Sequence, residues 1–299
     1  MFKIAWHPIY IYPVPENHRF PMEKYELLPQ QLIRHGIVTQ EYFFEPSNGF
    51  IYDFSIHCAD YLQRLFNVQL TRKEERASGF KQSKDLADRE IRITNGTIEG
   101  AVSALKYGVG FNIAGGTHHA FRDRPEGFSL INDQAVAAMH LLNQKLATKI
   151  LIVDLDVHHG NGTAAIFENE PRVFTFSMHG AKNYPFHKPK SDLDIPLDDK
   201  TGDYEYLSIL YEILPKLIDK QKPDFAFFLS GVDILQEDKL GRLSCSINGC
   251  RKRDEFVFRM MKEHHIPVMV TMGGGYAPDI KLILEAHCNT FRAAADLFH

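Results

Sequence analysis

Residues 149–162, KILIVDLDVHHGNG, restrict what this chain can fold into more than any other stretch. Ile150, Leu151, Ile152 and Val153 form an unbroken aliphatic run, the pattern of a strand buried on both faces of a parallel sheet. Asp154, Asp156, His158 and His159 follow at once, and Gly160-Asn161-Gly162 then opens a turn into a helix. Charged and metal-binding side chains directly after a buried strand are costly unless something holds them. In an open α/β sheet that carboxyl end of a strand is where ligands bind. Side chains alternate along an extended segment, so Asp154, Asp156 and His158 are expected on one side. Two carboxylates and an imidazole make a metal-ligand set whose oxygen and nitrogen donors suit Zn2+, Fe2+, Mn2+ or Co2+.

Further apolar strands are expected at residues 2–6, 42–44, 111–114, 173–177, 225–229 and 266–271. Between them the spacing predicts helices at 22–35, 56–66, 91–107, 204–218, 254–264 and 279–297. Gly96 and Gly100 fall within one of these helices, where small residues allow close packing on a sheet. The dense charges of residues 71–90 read as solvated helix surface and loop, and the Pro-, Lys- and Asp-rich residues from 180 to about 201 as a loop suited to a binding rim. Alternating helices and buried-type strands give an α/β fold with a mainly parallel sheet. With no linker-like segment and no internal repeat, residues 1–299 are expected to form a single domain.

Composition sets the outer limits. A chain of 299 residues with 44% hydrophobic and 24% charged residues and a net charge of -4 is an ordinary globular protein, without the basic excess that nucleic acid binding needs. MFKIAWHP lacks the apolar core of a signal peptide and no run is long enough to span a membrane, so a cytoplasmic protein is expected. Cys58, Cys245, Cys250 and Cys288 show no C-x-x-C spacing and are expected to be reduced.

The polar residues gather after predicted strand ends: His118 and His119, then Asp154, Asp156 and His158, then His179, Asp233 and Tyr276. In a parallel sheet these ends line one edge of the molecule. A catalytic zinc keeps three protein ligands and one open position, a count that Asp156, His158 and Asp233 supply. His118 and His119 are then free for proton transfer. Asp154 is placed to orient an imidazole, and Tyr276, after three glycines, to donate its hydroxyl to a developing oxyanion.

Six segments carry a family resemblance: HRFPMEKY (18–25), GGTHHA (115–120), GFSLIND (127–133), VDLDVHHGNGT (153–163), SGVDILQEDKLGRLS (230–244) and GGGY (273–276). Through them the chain resembles the zinc-dependent histone deacetylases of the arginase–deacetylase superfamily, over nearly its whole length. Residues 232–261 look most like class IV deacetylases and their bacterial relatives. The resemblance implies a three-layer αβα fold, with Asp156, His158 and Asp233 as zinc ligands and Fe2+ as an alternative ion. It also implies a proton-transfer role for His119 with His118 as electrostatic or acid partner, and a carbonyl-polarising Tyr276. Asp154 matches both the carboxylate paired with the first histidine and, with Ser177, a ligand of a structural K+. Gly127, Phe128, Tyr184 and Gly274 match the walls of a tunnel for the lysine stem, with Tyr184 facing Phe128.

Two positions depart from the pattern. Asn161 stands where class I enzymes carry a carboxylate behind the second histidine, which predicts a His119 less firmly held in its charged form. Thr117 stands where many relatives carry a bulky residue. The expected activity is zinc-dependent removal of acetyl or longer acyl groups from the ε-amine of lysine in proteins. Alternatives are deacylation of small acetylated amines such as acetylpolyamines, a catalytically silent acyl-lysine binding module, and a ureohydrolase with two Mn2+. The expected partner is an acylated lysine or small acylated amine, with no nucleic acid or membrane, and the oligomeric state is left open.

Overall fold

A computed structural model describes residues 1–298. Eight strands form one sheet: β1 (Lys3–Ala5), β2 (Phe43–Phe44), β3 (Val109–Asn112), β4 (Ile150–Asp154), β5 (Val173–Gly180), β6 (Leu193–Leu197), β7 (Phe225–Leu229) and β8 (Val268–Thr271). All are parallel, in the order β2-β1-β3-β8-β7-β4-β5-β6. The central strands β4 and β7 read ILIVD and FAFFL and are buried at every position, which explains their lack of alternation.

The α-helices among the described residues are α1 (Lys24–Arg34), α2 (Ala59–Phe66), α3 (Arg72–Ser78), α4 (Lys84–Tyr107), α5 (Asp133–Asn143), α6 (Asn161–Phe167), α7 (Asp203–Gln221), α8 (Ile247–Glu263) and α9 (Ile280–Phe298). Adjacent residues of β3 show how they divide between the two faces. A Cβ on Gly110 would lie 2.2 Å from the Gly100 carbonyl oxygen of α4. Phe111 points the other way and stacks on Phe291 of α9, with ring centroids 4.3 Å apart. The result is the expected three-layer αβα arrangement. Gly100 makes the α4 contact feasible, because a Cβ there would come within 2.6 Å of the Met269 side chain.

Three segments differ from their sequence patterns. Helix α5 was not signalled, because AVAAMHLL is apolar on most sides and shows little helical stripe. Strand β6 lies inside the expected 180–201 loop; Pro196 and the flanking charges disguise it, and its place at the sheet edge tolerates the proline. Residues 71–90 are not all solvated, since Arg89 and Glu90 are 3% and 1% exposed and form a buried ion pair within α4. The four cysteines are free, with Cys58 exposed and the rest buried. No helix among the described residues is long and apolar enough to cross a membrane.

Candidate active site

The carboxyl ends of β3, β4, β7 and β8 carry the expected residues to one place. Past Asp154 the backbone leaves the sheet, yet Asp156 and His158 still turn inward together. His158 Nδ1 lies 3.0 Å from Asp156 Oδ1 and 3.1 Å from Asp233 Oδ2. The three residues offer ligand atoms all within 4.8 Å of one another. Two buried carboxylates around one imidazole demand a positive charge between them. Burial alone would lower the His158 pKa, but hydrogen bonds and charge from Asp156 and Asp233 outweigh it and raise the pKa to about 10. Burial and repulsion from Asp156 raise Asp233 to about 7. This donor set fits a divalent cation, which would satisfy both carboxylates at once.

The loop after β8 locks the set in place. Gly274 N–H donates to Asp156 Oδ2 at 2.8 Å, and a Cβ on Gly274 would fall 1.9 Å from Asp233 Oδ2. Tyr276 follows, its own N–H donating to Asp238 Oδ2 at 2.6 Å. Burial, then the charges of Asp156, Asp233 and Asp238, raise the Tyr276 pKa well above its usual value, so its hydroxyl stays a proton donor.

Asp154 turns to the neighbouring histidine rather than to the ligand set. Its Oδ2 lies 2.7 Å from His118 Nδ1. Burial would lower the His118 pKa; the Asp154 charge reverses that and raises it. His119 Nδ1 lies 2.6 Å from Asn161 Oδ1. Burial first, then the charges of His118 and His158, hold the His119 pKa well below its usual value, and Asn161 opposes this only weakly. Burial is therefore what holds His119 low, while its hydrogen bond to Asn161 acts in the opposite direction.

A cavity of about 590 Å3 leads to these residues. Its inner wall is Gly127, Phe128, Tyr184, Tyr276, His119 and His158, and its outer rim includes His18, Arg19 and Arg76. Phe128 packs on Tyr276 at 6.1 Å between ring centroids, and Tyr184 stands edge-on to His119 at 5.1 Å. Beyond the histidines a second space of about 40 Å3 is lined by Gly274, Gly116, Tyr25 and Arg89, among others.

Some residues fall elsewhere. His179 lies inside β5 and joins His159 and Asp194, a second group with donors within 4.8 Å, instead of the Asp156 set. Asp154 and Ser177 are cross-strand partners in register, as a shared K+ would need. Ser177 Oγ, however, faces His179 Nδ1 at 3.0 Å. Thr117 is fastened by Asp133, whose Oδ1 accepts from its hydroxyl at 2.7 Å and from its N–H at 2.9 Å.

Four supporting residues went unrecognised in the sequence. Lys24 is 1% exposed and donates from Nζ to the Gly273 carbonyl at 2.7 Å. Arg253, wholly buried, donates from Nη1 to the carbonyls of Gly231 (2.6 Å) and Leu155 (3.2 Å), joining the two ligand-bearing loops. Asp238 holds the Tyr276 turn, and Glu126 bonds to Asn161. Lys24 inside HRFPMEKY, Asp238 inside SGVDILQEDKLGRLS and Arg253 within residues 232–261 fall in segments that carry the resemblance, whereas Glu126 sits just before GFSLIND and carries no signal of its own.

The histone deacetylase domain model matches residues 18–291, nearly the whole chain. The chain belongs to the histone deacetylase family. It is a hydrolytic deacetylase, and its family is metal-dependent. Among relatives, it is 40% identical to an uncharacterized protein of Picosynechococcus sp. over 99% of both chains. It is 29% identical to histone deacetylase 2 of Arabidopsis thaliana, over 88% of this chain and 70% of that one. Solved structures share its fold: an HDAC homolog complexed with SAHA has a TM-score of 0.84 at 24% identity, covering 99% of this chain and 84% of that one. An HDAC homolog from Aquifex aeolicus has the same TM-score and the same coverage at 23% identity.

Proposed function

We propose that this deacetylase removes acetyl groups from the ε-amine of lysine in proteins, with Zn2+ held by Asp156, His158 and Asp233. The observation that carries the reading is the meeting of that ligand set with the histidine pair and Tyr276 at the base of a cavity whose walls are Phe128 and Tyr184. Residues 1–299 would act as one catalytic domain, a view supported by the single eight-stranded sheet.

A zinc ion at this site supplies Lewis acidity toward the amide carbonyl and toward water. His119, neutral near pH 7, takes the proton of the attacking water. His118, whose pKa Asp154 raises against burial, gives a proton to the leaving amine. The Tyr276 hydroxyl donates to the oxygen on which negative charge develops. Asp154 works through His118, and Asn161 through His119. Gly274 shapes the bed of the ligand set, while Asp154 and Ser177 are the pair that would share a structural K+.

Two features favour acetyl-lysine over the alternatives. The inner space of about 40 Å3 has room for a few atoms, since one water needs about 10–15 Å3, so a short acyl group fits and a long one does not. The rim residues Arg19 and Arg76 repel the multiple ammonium groups of an acetylpolyamine. The test is a kcat/KM comparison of zinc-loaded protein on lysine peptides of graded acyl length and on acetylpolyamines. Acetyl-lysine should lead both series; a preference for acetylpolyamine or for long acyl chains would overturn the substrate assignment.

A further inference from the structure

Behind His119 the carboxylate missing at Asn161 is supplied one residue further back. Asn161 is 1% exposed, and its two amide atoms face different partners. Oδ1 meets His119 Nδ1 at 2.6 Å, while Nδ2 donates to Glu126 Oε1 at 2.8 Å. The same Glu126 oxygen accepts from the Tyr184 hydroxyl at 2.6 Å. Glu126 is itself fixed, because its N–H donates to the Ser129 carbonyl at 3.0 Å and its carbonyl accepts from Ser129 N–H at 2.8 Å.

This chain of contacts has one consistent direction. A carboxylate accepts and cannot donate, so the Asn161 atom facing Glu126 must be the NH2. The atom facing His119 must then be the amide oxygen, whichever way the amide is first drawn. An amide oxygen only accepts, so His119 must carry a proton on Nδ1. Its Nε2 is left with a lone pair directed away from Asn161. With the amide reversed, its oxygen would oppose the Glu126 carboxylate at hydrogen-bonding distance, two acceptors with no proton between them. Burial of Asn161 leaves no bulk water to relieve that clash.

We propose that Glu126 is a positioning residue for His119: by fixing the Asn161 amide it holds the imidazole in the tautomer with Nδ1 protonated and Nε2 free to take a proton. The inference rests on the reading of His119 as the base. A carboxylate directly behind the ring would set the same tautomer while placing negative charge against it. Here the amide stands between, so orientation is kept and the charge is moved one group away. Tyr184, bonded to the same oxygen, ties this hold to the wall of the substrate cavity.

The test combines nitrogen NMR of the histidine side chains in zinc-loaded protein with steady-state kinetics. In the unmutated protein His119 should appear as the Nδ1–H tautomer; an Nε2–H tautomer overturns the proposal without any variant. Glu126→Gln can present either end of its amide to Asn161, so it should give mixed His119 tautomers and about a tenfold fall in kcat with KM within twofold. Asn161→Asp sets two carboxylates in contact and should lose at least tenfold. The double variant Asn161→Asp/Glu126→Gln restores one amide and one carboxylate in swapped places, and should recover to within a few-fold of the starting kcat. A double variant no better than Asn161→Asp, or Glu126→Gln with an unchanged tautomer, counts against Glu126. Tautomer loss in Glu126→Gln with kcat unchanged would uphold the positioning and instead remove His119 as the base.

Discussion

His118 and His119 are adjacent, chemically identical side chains that their surroundings set to different tasks. Asp154 raises the pKa of one against burial, whereas burial and two neighbouring rings lower the other. The pair is closely coupled, with ring centroids 4.1 Å apart, so a pH–rate profile reports on both together. Two further predictions belong at this scale. Asp233→Asn removes a charged donor while keeping shape, so it should weaken zinc binding and abolish turnover; metal content after dialysis and kcat check both. Full zinc occupancy with normal activity would take Asp233 out of the site. Tyr276→Phe keeps the ring contacts with Phe20 and Phe128 but loses the donor. Its kcat should fall by about 10²–10³ with zinc content and thermal stability retained, the usual effect of one lost oxyanion donor.

At the scale of elements, the ligand geometry depends on loops that carry no ligands. Between β8 and α9, Gly273 to Tyr276 run beneath Asp156 and Asp233, fastened by Lys24 of α1 on one side and by Asp238 on the other. Lys24 suffers for this place, as burial lowers its pKa to about 8 despite the nearby acids. Because the space at Gly274 is already taken by Asp233 Oδ2, Gly274→Ala should push that carboxylate out of the set. The expected result is a folded protein with zinc affinity reduced at least tenfold, read by competition with a chelator. Unchanged affinity would mean that the loop can give way without moving the ligand.

For the whole molecule, acid stability offers a check that is independent of the metal. His57 is 2% exposed and joins separate parts of the chain: its Nδ1 donates to the Phe121 carbonyl at 2.9 Å, and its Nε2 accepts from Asn132 N–H at 3.0 Å. The second bond requires a neutral ring, because a proton on Nε2 would face the amide hydrogen. Burial lowers the folded pKa from 6.5 to about 4. The unfolded chain therefore takes up this proton first as pH falls. Stability is whole above about 6.5 and is lost progressively toward pH 4, by about 3 kcal/mol for this one group. Urea melts should show His57→Asn less stable at pH 7.5 but with a shallower loss between pH 6.5 and 4.5. Equal slopes would show that His57 is not the group responsible.

The sequence by itself determined the strands with unbroken apolar runs and the residues at their carboxyl ends. A parallel sheet forces those ends together, so Asp156, His158, Asp233, His118, His119 and Tyr276 were legible from β4, β7 and the motifs around them. Only the tertiary structure decided which atoms meet. Asp154 and Asp156 are two residues apart, yet one carboxylate turns to His118 and the other to His158, because the backbone leaves the sheet between them. His179 follows a predicted strand end like the others, but β5 continues past it and delivers it to His159 and Asp194. Glu126 looks in sequence like an ordinary solvated charge, and the segments around Lys24 and Arg253 do not show what those two side chains touch. Their roles come from long-range contacts, Glu126 to Asn161, Lys24 to Gly273 and Arg253 to Gly231, which no local periodicity records because each partner arrives from a different crossover of the fold.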